Sequence, residues 1–247
     1  MPKQIASAFD IENARTMTRA DVIGTFVPTD NFYSLISPKH HVVIGSRGSG
    51  KTAIAKMLSH SYLVGLADRG DERAQAAVRE GKFVGIYIST RTEWYGTLKN
   101  KHWQTEEEQE QYFRWRLNVA ACSALLVAFR SCLDAYVDDD LNRLRLERDT
   151  VGDLRDAWIP GIDVSGPSFM ALHEAISDVD YAELVAVSTA RTQGVAPAPR
   201  AGAFDADLFI PLRRGVELFL RRFELLRNAT WAVCIDEAEV LDEVHQR

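Results

Sequence analysis

Cysteine is scarce. The 247-residue chain has 3, Cys122, Cys132 and Cys234, and no C-x-x-C pair. That excludes a disulfide framework and a cysteine-based zinc site, and reads as buried reduced thiols in a cytoplasmic protein. Positive charge is also short: 29 Lys and Arg stand against 35 Asp and Glu, a net charge of -6. Such a balance gives no support for a broad nucleic-acid-binding face. Histidine is sparse and badly placed for metal. His40 and His41 are adjacent and would point to opposite faces of a strand, while His60, His102, His173 and His245 stand alone. The opening Met1-Pro2-Lys3-Gln4-Ile5-Ala6 lacks the apolar core of a signal peptide. The most apolar stretch, 117–133, is shorter than a membrane span and carries Asn118, Ser123, Arg130 and Ser131, so a buried helix and no membrane partner are expected.

What is present is one phosphate-binding pattern. His41-Val42-Val43-Ile44 reads as a short buried strand. Gly45-Ser46-Arg47-Gly48-Ser49-Gly50-Lys51-Thr52 follows, and then Ala53, Ile54, Met57 and Leu58 at helical spacing. Strand, G-x-x-x-x-G-K-T loop and helix together form a P-loop. The glycines let the loop take left-handed dihedrals and turn its N–H groups inward. The helix starting near Lys51 aims its positive dipole end at the same point. Residues 45 to 53 are the phosphate cradle, Lys51 reaches the β- and γ-phosphates, and the Thr52 hydroxyl binds Mg²⁺. In a chain of this length a chance match has a probability on the order of one percent.

A second stretch answers it. Trp231-Ala232-Val233-Cys234-Ile235 is an apolar run ending in Asp236 and Glu237. Asp236 falls at the carboxyl end of the strand, where open α/β sheets place ligands, and is assigned to Mg²⁺. Glu237 is assigned as the base that polarises attacking water; Glu239 is read as a solvated helix residue.

These two motifs resemble those of P-loop ATPases that carry a catalytic glutamate beside the Walker B aspartate. With Phe26-Val27-Pro28, Leu35-Ile36 and the lead-in 41–45, the chain is similar to bacterial AAA+-like ATPases of the origin-recognition or STAND type. Several such proteins sit in phage-defence systems. The resemblance covers roughly residues 20–60 and 208–243. It implies ATP and Mg²⁺ as cofactors, and a protein partner or homo-oligomer that receives the conformational change. It also implies that the segment before the P-loop strand lies near adenine, with Phe26, Val27 or Tyr33 as stacking residues. Simple packing under the sheet is the preferred reading of those three.

The rest of the chain frames these motifs. Residues 22–28 read as an extended segment stopped by Pro28, and 30–36 as a short helix. The P-loop helix is expected to run to about Leu63-Val64, and a surface helix to end at Gly81. Residues 82–90 read as a second parallel strand, with Ser89, Thr90 and Arg91 near the site. Trp94, Tyr95 and Trp103 interleave with Lys99, Lys101 and His102, read as a loop pinned by aromatics. Thr105 and Glu108 form a capping box for a long helix to about Val137. Asp138-Asp139-Asp140 is read as a solvated helix junction, Ser168 as a cap for a helix to about Ser177, and 180–189 as a further helix. Residues 194–202 are a linker by composition, and Asp207 caps a helix over 208–227. That helix carries Arg213, Arg214, Arg221 and Arg222, read as solvated charge flanking a core stripe.

The expected fold is α/β: a P-loop parallel sheet flanked by helices. Residues 20–99 and 208–247 form the nucleotide-binding core, with a helical insert over 100–207 between the second strand and the Walker B strand. The chain stops eleven residues after Asp236, whereas the resembled ATPases place a further strand between the P-loop and Walker B strands. The domain is therefore expected to be incomplete. The function expected is ATP binding with Mg²⁺-dependent hydrolysis. The alternatives are a nucleotide-held regulatory switch with little turnover and a DNA-associated adaptor. A small-molecule kinase fits the paired acids at the strand end less well.

Overall fold

The structure is a computed structural model describing residues 14, 17–46, 48–90, 105–193 and 203–236. In chain order the helices and strands are α1 (Arg19–Thr25), α2 (Asp30–Ser34), α3 (Lys51–Leu58), α4 (His60–Asp68), α5 (Glu72–Arg79) and β1 (Phe83–Ser89). Then come α6 (Glu106–Tyr136), α7 (Asp140–Trp158), α8 (Phe169–Thr192), α9 (Ile210–Arg222) and β2 (Thr230–Asp236). The fold is mixed α/β and mostly helical around a two-stranded parallel sheet.

β1 and β2 pair in register from Phe83↔Thr230 to Ser89↔Asp236. Side chains alternate across a strand, so each strand feeds two cores. Val84, Ile86 and Ile88, with Trp231 and Val233, meet Trp115, Leu125 and Phe129 of α6. Phe83, with Ala232 and Cys234, meets Met57, Leu58, Leu63 and Leu66 of α3 and α4. The apolar stretch of α6 is the central core helix, as expected. Phe129 stacks on Phe219 of α9 at 4.1 Å between ring centroids. Cys122 and Cys132 are buried in this core and Cys234 is half-buried; all three are free thiols.

Buried polar groups fix the order of the helices. Glu147 of α7, 2% exposed, accepts from the Phe169 N–H at the start of α8 and from Arg130 of α6 at 3.0 Å. Asn118 of α6 is fully buried. Its amide donates to the carbonyls of Phe204 and Ala206, both at 3.0 Å, and accepts from the Phe209 N–H at 2.8 Å. These bonds clamp the turn into α9, where Phe209 sits at φ 62, the left-handed region a non-glycine residue rarely adopts. Asn118→Ala leaves those buried backbone groups unmet and is expected to cost about 2 kcal/mol. For a chain of this size the melting temperature should fall by roughly 4–8 °C; an unchanged thermal melt would refute the clamp.

Several expected boundaries are corrected. Residues 41–46 form no strand, and Val42 and Ile44 are 85% and 90% exposed. A strand is held by hydrogen bonds to a neighbour, and among the described residues the sheet has only β1 and β2. Residues 19–25 are helical rather than extended. Thr18 caps α1 by accepting from the Asp21 N–H, and Val22 is buried, which outweighs the strand propensity of Val22-Ile23. The P-loop helix stops at Leu58, because Ser59 is extended at ψ 145, and α4 begins anew. The two helices expected after Ser168 are one, α8. The last helix starts at Ile210, with Phe209 rather than Asp207 at its cap.

Other local readings stand. Thr105 caps α6 by accepting from the Glu108 N–H, and Gly81 takes φ 58 after α5. Asp139 caps α7 and Asp140 pairs with Arg143, so the aspartate run is a helix junction. Arg213 and Arg214 pair with Glu217, and Arg222 with Asp149 and Asp153. Much of that basic face is thus neutralised.

Candidate functional site

The loop before α3 is shaped by its glycines. Gly48 and Gly50 lie at φ 83 and φ 84, dihedrals that let the backbone curl back on itself. Gly50 is the N-cap of α3, so the left-handed residue directly precedes the helix. Gly45 meets the other limb of the loop: a Cβ there would lie 2.5 Å from the Ser49 hydroxyl. The Ser49 N–H donates to the Ser46 carbonyl at 3.2 Å, closing the turn. Lys51 folds back over this loop, its ammonium donating to the carbonyls of Gly45 at 2.6 Å and Ser46 at 3.2 Å. Ser46 and Gly48 to Gly50 face solvent, while Lys51, Thr52 and Ala53 are half-buried. The loop is an exposed cradle at a helix N-terminus with a cation laid over it, an arrangement suited to an anion. Arg47 lies outside the described residues.

α3 lies on the face of the sheet that carries Phe83, Ala232 and Cys234. Asp236 follows the same alternation and ends β2 at 6% exposure. Its carbonyl accepts from the Thr90 hydroxyl at 2.8 Å and from the Thr90 N–H at 3.3 Å. Its carboxylate accepts from the Tyr87 hydroxyl at 3.1 Å. Burial pushes the Lys56 ammonium of α3 down and the Asp236 charge pulls it back up. The structure thus brings the P-loop helix and the Asp236 strand end together. The donor set, the Thr52 hydroxyl and the Asp236 carboxylate, is hard oxygen, which fits Mg²⁺. Glu237, Glu239 and Arg91 lie outside the described residues, as do the aromatics and lysines of 94–103 and His245.

Tyr87 escaped the sequence reading. The available signal was register: in a strand ending at Ser89, residue 87 shares the face of residue 89, which pairs with Asp236. The three stacking candidates separate. Phe26 packs edge-on against Phe32 at 4.9 Å. Tyr33 carries the Arg73 guanidinium over its ring at 3.9 Å and donates to Asp71, so packing accounts for both. Val27 is 77% exposed. His60 is buried between Ser131 and Tyr136, and burial pushes it down to about 4, the mark of a neutral core histidine. A cavity of about 1070 Å³, lined by Arg130, Glu147, Phe169 and His173 among others, shares no residue with the phosphate loop.

The family described as ORC-CDC6-like matches residues 7–247. No curated protein and no solved structure matches the chain.

Proposed function

This chain belongs to the ORC-CDC6-like family, a family of AAA+ nucleotide-binding character, and on that premise we propose that it is a cytoplasmic Mg²⁺-dependent ATPase. Its P-loop holds ATP, and hydrolysis changes its conformation against a protein partner or another copy of itself. The observation that carries this reading is the left-handed Gly48–Gly50 loop at the start of α3, a helix that packs on the strand ending at the buried Asp236.

The N–H groups of 45 to 53 and the Lys51 ammonium hold the triphosphate, and the N-terminus of α3 adds its dipole. To reach the phosphates, Lys51 exchanges the carbonyls of Gly45 and Ser46 for phosphate oxygens. Thr52 and Asp236 hold Mg²⁺, which supplies neutralisation of the charge developing on the phosphate oxygens. Glu237, next along the chain from Asp236, takes the proton of the attacking water.

The test is nucleotide binding and turnover by the wild-type chain beside Glu237→Gln. The variant is expected to keep its ATP affinity while turnover falls about 100-fold, the usual scale for losing a positioned base. Equal turnover by the two proteins would remove Glu237 from the reaction. Binding with no turnover in the wild type would make the chain a nucleotide-held switch.

A further inference from the structure

β1 belongs to neither nucleotide motif, yet it holds Asp236 at two points. Thr90, just past its end, fixes the main chain by giving both its N–H and its hydroxyl to the Asp236 carbonyl. Tyr87 fixes the side chain. An ionised carboxylate only accepts, so the Tyr87 hydroxyl is the donor in the 3.1 Å contact to Oδ2 of Asp236. The two residues stand two positions apart across the parallel pair, on the face that α3 covers. Lys56, in the second turn of α3, adds a positive charge that acts on the same carboxylate. Asp236 is 6% exposed, so water has little part in choosing its rotamer. Among the described residues, the Tyr87 hydroxyl acts on that rotamer through a direct hydrogen bond.

We propose that Tyr87 is a positioning residue for the divalent cation: its hydroxyl holds one oxygen of Asp236 and so orients the carboxylate beside the P-loop helix. The inference rests on the nucleotide reading given above. It assigns β1 a part in metal binding through a neighbour rather than through contact with the ion. Partners of this kind raise affinity by removing the need to reorient a ligand when the metal arrives.

The experiment titrates Mn²⁺ by electron paramagnetic resonance in the presence of a non-hydrolysable ATP analogue. A parallel measurement takes the affinity for the analogue in EDTA. Tyr87→Phe is expected to weaken Mn²⁺ binding about tenfold, the lower end for outer-shell changes, and to leave the EDTA affinity unchanged. In an Asp236→Asn background, Tyr87→Phe should cause no further loss. Tyr87→Gln, which keeps a donor without the ring, should recover part of the metal affinity. Wild-type Mn²⁺ affinity in Tyr87→Phe would overturn the inference and leave the nucleotide reading intact. So would an equal fall in the EDTA affinity, which marks a merely structural role. If Tyr87→Phe does not fold, a Tyr87→Gln protein that folds and shows no metal affinity overturns it as well. Absence of nucleotide binding in the wild type would overturn both readings.

Discussion

Lys51→Ala is expected to weaken ATP binding about a thousandfold while leaving the thermal melt where it is. The ammonium lies over the loop, within 2.6 Å of the Gly45 carbonyl and 3.2 Å of the Ser46 carbonyl. Swinging it onto phosphate exchanges neutral acceptors for charged ones. A hydrogen bond to a charged group contributes roughly 1.5–3 kcal/mol. Two such bonds to the β- and γ-phosphates amount to about 4 kcal/mol, a factor near a thousand. Folding does not depend on the residue to the same degree. Gly45 and Ser46 are exposed, so water replaces the lysine at their carbonyls, and the stability change should stay within about 0.5 kcal/mol. Titration calorimetry and a thermal melt on the same preparation separate the two effects. Lys51→Arg should restore only part of the affinity, since a planar guanidinium does not reproduce a compact ammonium at this turn. ATP affinity in Lys51→Ala within twofold of wild type would end the assignment of the loop.

The features legible in the sequence were those decided within a few residues. Gly48 and Gly50 take positive φ because the local turn demands it. Thr105 caps α6 through an N–H three residues on. The runs at 83–89 and 230–236 become strands because each is largely apolar and passes between two cores. What was not legible depends on distant parts of the chain. Val42-Val43-Ile44 has strand composition, but strand formation is decided by a neighbour's hydrogen bonds. Tyr87 meets Asp236 across a separation of 149 residues. The helical state of 19–25 is settled by the cap at Thr18 and by Val22 entering the core around Leu63 and Leu66. Of the candidate site, the phosphate loop and Asp236 were visible as motifs, while the residues that hold Asp236 were not.

The end of α3 at Leu58 meets a distant part of the chain, and that contact leads to the largest expected effect on stability. Gly85 of β1 lies against the last turn of α3, so that a Cβ at position 85 would fall 1.9 Å from the Leu58 carbonyl oxygen and 2.8 Å from its carbon. Both are main-chain atoms, so no side-chain rotation relieves the contact. Either β1 or the end of α3 has to move, and β1 is paired with β2 along its whole length. Gly85→Ala is therefore expected to cost more than about 3 kcal/mol, the upper range for overpacking. For a chain of this size that lowers the melting temperature by at least about 6 °C. The displacement should reach the site as well, because α3 carries the phosphate loop at its other end, and ATP affinity should fall together with stability. Gly152→Ala supplies the contrast. It sits inside α7, where a Cβ would meet nothing within 4 Å, and alanine there should stabilise the helix by up to about 1 kcal/mol. Thermal melts of the two variants decide the matter. If Gly85→Ala melts like wild type, β1 and α3 are not as close as described, and the support that the sheet gives the phosphate loop has to come from elsewhere in the core.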